Sequence, residues 1–287
     1  MKNGKVISFL NMKGGVCKTT LCKEIAYYLQ EKNHDPDNEG KKILVIDIDP
    51  QSNCTQSFFE KFNIDVNDED GNIRKDIPSI QKLYDLHLIQ GKESEIILQL
   101  TDNLHLIPGD LTTVFMERSS NSSHEQKLLQ AIKTWKLKEN YDLIFIDCPP
   151  TYSFYTVSAL MASDYYLVPS KPDMYSLLGL SLLKDVVERF ITVDQPVVME
   201  GRNLQCLGVI LTMIGQTEGM KQRMSDIKSY AEQENIHVFE HELKYYPKLT
   251  TGALETFISD RNDMSLLEFI ENISREFLER IELYNEQ

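Results

Sequence analysis

Lys13-Gly14-Gly15-Val16-Cys17-Lys18-Thr19-Thr20 joins an apolar run, Val6 to Leu10, to an amphipathic run that begins at Leu21. A buried strand, a glycine-rich turn and a helix start, in that order, aim the backbone N–H groups of the turn and of the helix N-terminus at one point, which suits a phosphate. In such a loop the amides of Gly14, Gly15, Val16, Cys17, Lys18, Thr19 and Thr20 form the cradle. Lys18 reaches the β- and γ-phosphates of a nucleotide, and Thr19 holds Mg²⁺. The common pattern, Gly-x-x-x-x-Gly-Lys-Thr, is missed at both glycines, because position 12 is Met and position 17 is Cys. What stands here is Lys-Gly-Gly-x-x-Lys-Thr, with a second lysine, Lys13, ahead of the glycines.

A glycine pair beside lysines is common on protein surfaces, so two further segments carry the reading. Lys42-Ile-Leu-Val-Ile-Asp47-Ile-Asp49-Pro50-Gln51 reads as a buried strand ending in two carboxylates and continues through Ser52 to Thr55. Tyr141-Asp-Leu-Ile-Phe-Ile-Asp147-Cys148-Pro149-Pro150 is a second such run, ending in one carboxylate. In a parallel sheet the groups at the carboxyl ends of neighbouring strands meet in one crevice, so the three segments are expected to build one site.

Strands alternate with helical patterns along all 287 residues, which predicts one α/β domain over 1–287 with a mostly parallel, twisted central sheet and helices on both faces. Helices are expected from Thr19 to Glu31, from the Ser122-x-x-Glu125 capping box to Lys138, over 177–190 and over 220–233. A last helix carries the stripe Leu266, Ile270, Ile273, Phe277, Ile281 and Tyr284, read as a core face. No apolar run approaches the roughly 18 residues needed to span a bilayer, so a cytoplasmic location is expected. Five cysteines with no Cys-x-x-Cys pair point to free thiols rather than disulfides or zinc. Three of them, Cys17, Cys54 and Cys148, lie in the candidate motifs, so alkylation is expected to inactivate. The net charge of −14 argues against a broad basic footprint, although local patches govern binding.

Taken together, Lys13 to Thr20, Asp47 to Thr55 and Asp147 to Pro150 resemble the ParA family of DNA-partition ATPases, in the short form without an N-terminal helix-turn-helix domain. The likeness continues through Ala162 to Pro169, Leu178-Gly179-Leu180 and Leu207 to Met213, about three quarters of the chain. It implies a P-loop NTPase fold with the deviant Walker A loop, ATP and Mg²⁺ as cofactors, and hydrolysis of ATP to ADP and phosphate that is slow until a partner and DNA stimulate it. Asp49 then positions the attacking water. Asp147 holds a Mg²⁺-bound water, with Asp47 supporting the same shell, and Lys13 reaches across an ATP-bound homodimer to the partner's nucleotide. The implied partners are a centromere-binding ParB-type adaptor and non-specific DNA, with no membrane, which puts the ATP-bound form on the nucleoid. Candidate DNA contacts are Lys221, Arg223 and Lys228, with Lys244 and Lys248 further on.

Family members commonly carry Gly where this chain has Cys17. A helical φ at Cys17 is expected, which makes its Cβ harmless; a positive φ would make it costly. The alternatives are a MinD-like membrane-cycling ATPase, disfavoured because Asp263 to Gln287 holds seven acids and two arginines, and a nucleotide-gated binding module that has lost hydrolysis.

Overall fold

The computed structural model describes residues 3–31, 40–67, 74, 76–85, 89–110, 122–247, 249 and 256–285. Seven strands, β1 (Lys5–Phe9), β2 (Ile43–Asp47), β3 (Leu98–Gln99), β4 (Leu104–Ile107), β5 (Leu143–Asp147), β6 (Tyr165–Ser170) and β7 (Gln205–Leu211), form one sheet in the order β3-β4-β2-β5-β1-β6-β7. Every pair is parallel except β3 with β4. The helices are α1 (Lys18–Gln30), α2 (Asn53–Lys61), α3 (Ile80–Asp85), α4 (Glu93–Ile96), α5 (Ser122–Thr134), α6 (Leu137–Asn140), α7 (Phe154–Ala162), α8 (Ser176–Arg189), α9 (Pro196–Met199), α10 (Glu218–Gln233) and α11 (Met264–Asn285).

Continuous apolar strands follow from burial on both faces. Leu44, Ile46, Ile144 and Ile146 enter one core, which receives Leu128 of α5, Leu160 of α7, Leu183 of α8 and Ile227 of α10. Ile43, Val45, Leu143 and Phe145 enter the other, against Leu21 and Ile25 of α1, Phe58 of α2 and the α11 stripe. That stripe is a core face as expected: Leu266, Ile270, Ile273, Phe277 and Ile281 are buried, and the Tyr284 hydroxyl donates to the Cys206 carbonyl at 3.1 Å. Each fully buried Leu, Ile or Phe contributes roughly 1.5–3 kcal/mol. Among the described residues no helix is long and apolar enough to cross a membrane.

One expectation is revised and one element is added. The helix expected to reach Lys138 stops at Thr134, because Lys136 turns into the left-handed region at φ 51° before α6 begins. The turn lets Trp135 bury its ring while its Nε1–H donates to the Ile89 carbonyl at 2.8 Å. The edge strand β3, antiparallel to β4, was not anticipated; two residues are too few to show a period.

The phosphate-loop helix α1 is tied to the turn ahead of α11. Glu24 is 2 % exposed and accepts the Ile258 N–H at 2.7 Å. Burial raises its carboxyl from the ordinary 4.5 to about 7. A carboxyl raised on folding contributes stability that is complete below the unfolded value and lost as pH rises through about 7. Glu24→Gln keeps the acceptor and removes the titration. It is therefore expected to flatten the loss of stability between about pH 4.5 and 7, on the order of 3 kcal/mol, in urea melts across that range.

Candidate nucleotide site

β5 lies between β1 and β2, and the register sets Phe9 beside Asp147 and Asp147 beside Asp47. The ends of three strands therefore bring the phosphate loop and two carboxylates together, although the motifs lie about 35 and 100 residues apart in the chain. The loop is held by its neighbours. Asn11 donates to the Pro169 carbonyl at 2.8 Å and accepts the Lys13 N–H at 2.9 Å, and the Thr212 hydroxyl donates to the Val16 carbonyl at 3.1 Å. Gly14 and Gly15 are exposed, and Gly15 takes φ 68°, a turn that glycine makes without strain.

Lys18 is 7 % exposed and folds back so that its Nζ donates to the Lys13 carbonyl at 3.0 Å. Burial lowers its pKa, and the Asp147 carboxylate works against that. Thr19 Oγ1 donates to Asp147 Oδ2 at 2.7 Å, and among the described residues the buried Asp147 Oδ1 accepts nothing. Burial raises the pKa of Asp147, and Asp47 beside it raises it again; Asp47 is raised too, mainly by burial. Buried carboxylates in excess over one lysine, with an oxygen left open beside a hydroxyl, form a hard donor set that fits Mg²⁺. Asp47 stands differently from Asp147. Its Oδ2 accepts from the N–H and hydroxyl of Thr55 at 2.9 and 2.7 Å, and its Oδ1 accepts from the Asp49 N–H at 3.1 Å. Asp49, 8 % exposed, accepts the Gln51 N–H at 2.9 Å.

Lys13 is ion-paired within its own chain to Asp173, just ahead of α8. Ser176 holds that carboxylate from the other side at 3.0 Å. Thr212 and Asp173 were missed in the sequence because each acts from a segment far along the chain from the loop it supports, and Asn11 because it stands two residues ahead of the motif.

The AAA domain family matches residues 4–198. Over 235 residues the chain is 32% identical to the sporulation initiation inhibitor protein Soj of Bacillus subtilis, covering 79% of this chain and 80% of that one. The chain belongs to the ParA/Soj family of partition ATPases. An uncharacterised protein of Methanocaldococcus jannaschii is 35% identical over 186 residues, which make up 64% of this chain and 65% of that one. The fold is that of a putative plasmid partition protein from Borrelia burgdorferi bound to AMPPNP, with a TM-score of 0.71 at 23% identity over 98% of each chain.

In this ParA/Soj family member the expectation for Cys17 is overturned. Its φ is 65° and its ψ 29°, in the left-handed region, where it caps α1. The chain must reverse there to start the helix, and that requirement overrides side-chain preference at a cost of roughly 1–2 kcal/mol. Cys17→Gly relieves the strain but frees the unfolded chain, so its unfolding free energy is expected within about 1 kcal/mol of wild type. Cys17→Val, β-branched at positive φ, is expected to lose at least about 1 kcal/mol more; urea midpoints measure both. The expected route to inactivation by alkylation is also revised. Cys54 and Cys148 are buried, and burial pushes the half-buried Cys17 thiol up to about 11, so little thiolate is present at neutral pH.

Three of the candidate DNA contacts, Lys221, Arg223 and Lys228, lie on α10, and each is paired with a carboxylate. Lys221 meets Glu218 at 2.7 Å, Arg223 meets Asp226 at 3.0 Å and Lys228 meets Glu242 at 3.0 Å. Lys221 and Lys228 line one shallow depression with Glu232, and Arg223, two residues on from Lys221, points away from them. Lys244 is exposed, and Lys248 lies outside the described residues.

Proposed function

We propose that this chain is the ATP-hydrolysing component of a DNA-partition system. In this reading ATP binding joins two copies, the dimer binds DNA without sequence preference, and a centromere-binding ParB-type adaptor stimulates hydrolysis and release. The observation that carries the reading is the convergence of Lys18, Thr19, Asp147 and Asp49 at the ends of β1, β2 and β5, with one Asp147 oxygen open beside the Thr19 hydroxyl.

Phosphoryl transfer to water asks for charge neutralisation and a positioned nucleophile, with little covalent work from the protein. Mg²⁺, when bound, supplies charge neutralisation at the phosphates. The loop amides and Lys18 bind and orient the phosphates, and Thr19 and Asp147 are the residues that would hold the metal. Asp49 orients the attacking water. Lys13 adds positive charge to the partner's site, for which it must leave Asp173. DNA contacts from Lys221, Arg223, Lys228, Lys244 and Lys248 go to phosphates. The first three must exchange a carboxylate for a phosphate, which makes weak, salt-sensitive binding the expectation.

The test is fluorescence anisotropy of a random-sequence duplex at low salt, in Mg²⁺-ATP and in Mg²⁺-ADP. Binding with ATP alone, weakened by added salt, is the expected result. Equal binding in both nucleotides, or none in either once dimerisation is established, overturns the partition reading.

A further inference from the structure

We propose that Thr55 is a positioning residue for hydrolysis: through Asp47 it fixes the loop that carries Asp49. This rests on the reading of Asp49 given above. Thr55 stands at the first turn of α2 and is 5 % exposed. Its hydroxyl donates to Asp47 Oδ2 at 2.7 Å and accepts the Gly109 N–H at 2.7 Å. A hydroxyl has one proton, so the direction of both bonds is settled: the chain leaving β4 donates to Thr55, and Thr55 donates to the carboxylate that ends β2. Its own N–H reaches the same Asp47 oxygen at 2.9 Å.

The remaining bonds of Asp47 and Asp49 close the loop. Asp47 Oδ1 accepts the Asp49 N–H at 3.1 Å. Asp49 in turn accepts the Gln51 N–H on Oδ1 at 2.9 Å and the Ser52 N–H on its carbonyl at 2.8 Å. Ser52 then turns through the left-handed region at φ 52° into α2. The residues from Asp47 to Thr55 thus form a ring of hydrogen bonds, closed by one carboxylate. The third wall leaves no slack. A Cβ at Gly109 would sit 2.7 Å from Ser52 Oγ and 3.0 Å from Asp47 Cγ, so the exit of β4 is pressed on the ring where the Thr55 hydroxyl meets it. Asp47 therefore acts as the anchor of the Asp49 loop, and the oxygen left open to a metal belongs to Asp147.

Thr55→Val keeps the shape and deletes both bonds; Thr55→Ser keeps the hydroxyl. Two readouts separate positioning from general structure. The first is amide exchange of the nucleotide-free protein, where Thr55→Val is expected to speed Gly109, Gln51 and Ser52 by about tenfold or more, and Thr55→Ser to leave them protected. The second is steady-state turnover of Mg²⁺-ATP with fluorescent-nucleotide affinity measured alongside. Thr55→Val is expected to lower kcat about tenfold or more while nucleotide affinity stays within about threefold, and Thr55→Ser to restore kcat. Exchange unchanged by Thr55→Val, kcat unchanged by it, affinity lost in parallel with kcat, or Thr55→Ser as slow as Thr55→Val would each overturn the inference. If Thr55→Val does not fold, Gly109→Ala presses on the same junction and carries the same expectations. A wild-type protein that hydrolyses nothing overturns the reading of Asp49 instead, and the exchange readout then decides the Thr55 junction by itself.

Discussion

Asp49→Ala is expected to lower ATP turnover by about a hundredfold or more, the scale of losing a group that positions the nucleophile, while nucleotide binding survives. The reason lies in where Asp49 sits. It is next to the buried pair Asp47 and Asp147 but, among the described residues, hydrogen-bonds neither to the phosphate loop nor to Thr19; its side chain accepts the Gln51 N–H. Removing it therefore leaves the cradle, Lys18 and the open oxygen of Asp147 in place. Turnover by phosphate release, affinity by a fluorescent ATP analogue and dimerisation by light scattering separate the three properties. A variant that still turns over ATP at the wild-type rate would take Asp49 out of the chemistry and favour the structural role of a turn residue ahead of α2.

Lys13→Ala is expected to cost turnover about a hundredfold or more, as loss of a cationic group supplied across an interface does in other nucleotide hydrolases. A mixing experiment gives this prediction its sharper form. In a heterodimer of Lys13→Ala with Asp49→Ala, one site has its own Asp49 and receives Lys13 from the other protomer, and the second site has neither. Equal mixing of two inactive variants should then restore about a quarter of the wild-type rate, since about half the dimers are mixed and each has one working site. No recovery would mean that Lys13 serves its own chain's nucleotide. Asp173→Ala, which frees Lys13 from its intrachain pair, should move the same equilibrium towards dimer.

The parts of the site that were legible in the sequence are those that one short segment contains. The phosphate loop, the two strand-end carboxylates and the α11 stripe each show a period or a motif within about 20 residues. Their convergence could be inferred because parallel strands point their ends the same way. Contacts closed by tertiary structure left no such mark: Asp173 on Lys13, Thr212 on Val16 and Gly109 on Thr55 join segments 54 to 196 residues apart. Cys17 was misread for a different reason. Residue preference favoured an ordinary helical φ, and the reversal that the loop needs prevailed over it. The lysines and arginine of α10 were legible as charges, but their pairing with Glu218 and Asp226, three residues away on the helix, and with Glu242 beyond it comes to light only with the helix in place.

The position of β5 between β1 and β2 also bears on how the chain reaches its fold. β1 pairs with β5 and β6, in a register that sets Lys5 beside Leu143 and Ile7 beside Tyr165, so its nearest partner follows it by more than 130 residues. On a ribosome adding about 5–20 residues per second, the strand that leads into the phosphate loop waits on the order of ten seconds for a neighbour. Contacts of such long separation make for slow folding. Over that interval Val6 to Leu10 remains an unpaired apolar segment, open to chaperones that hold extended polypeptide. Fragments ending before about residue 140 are expected to stay in that state.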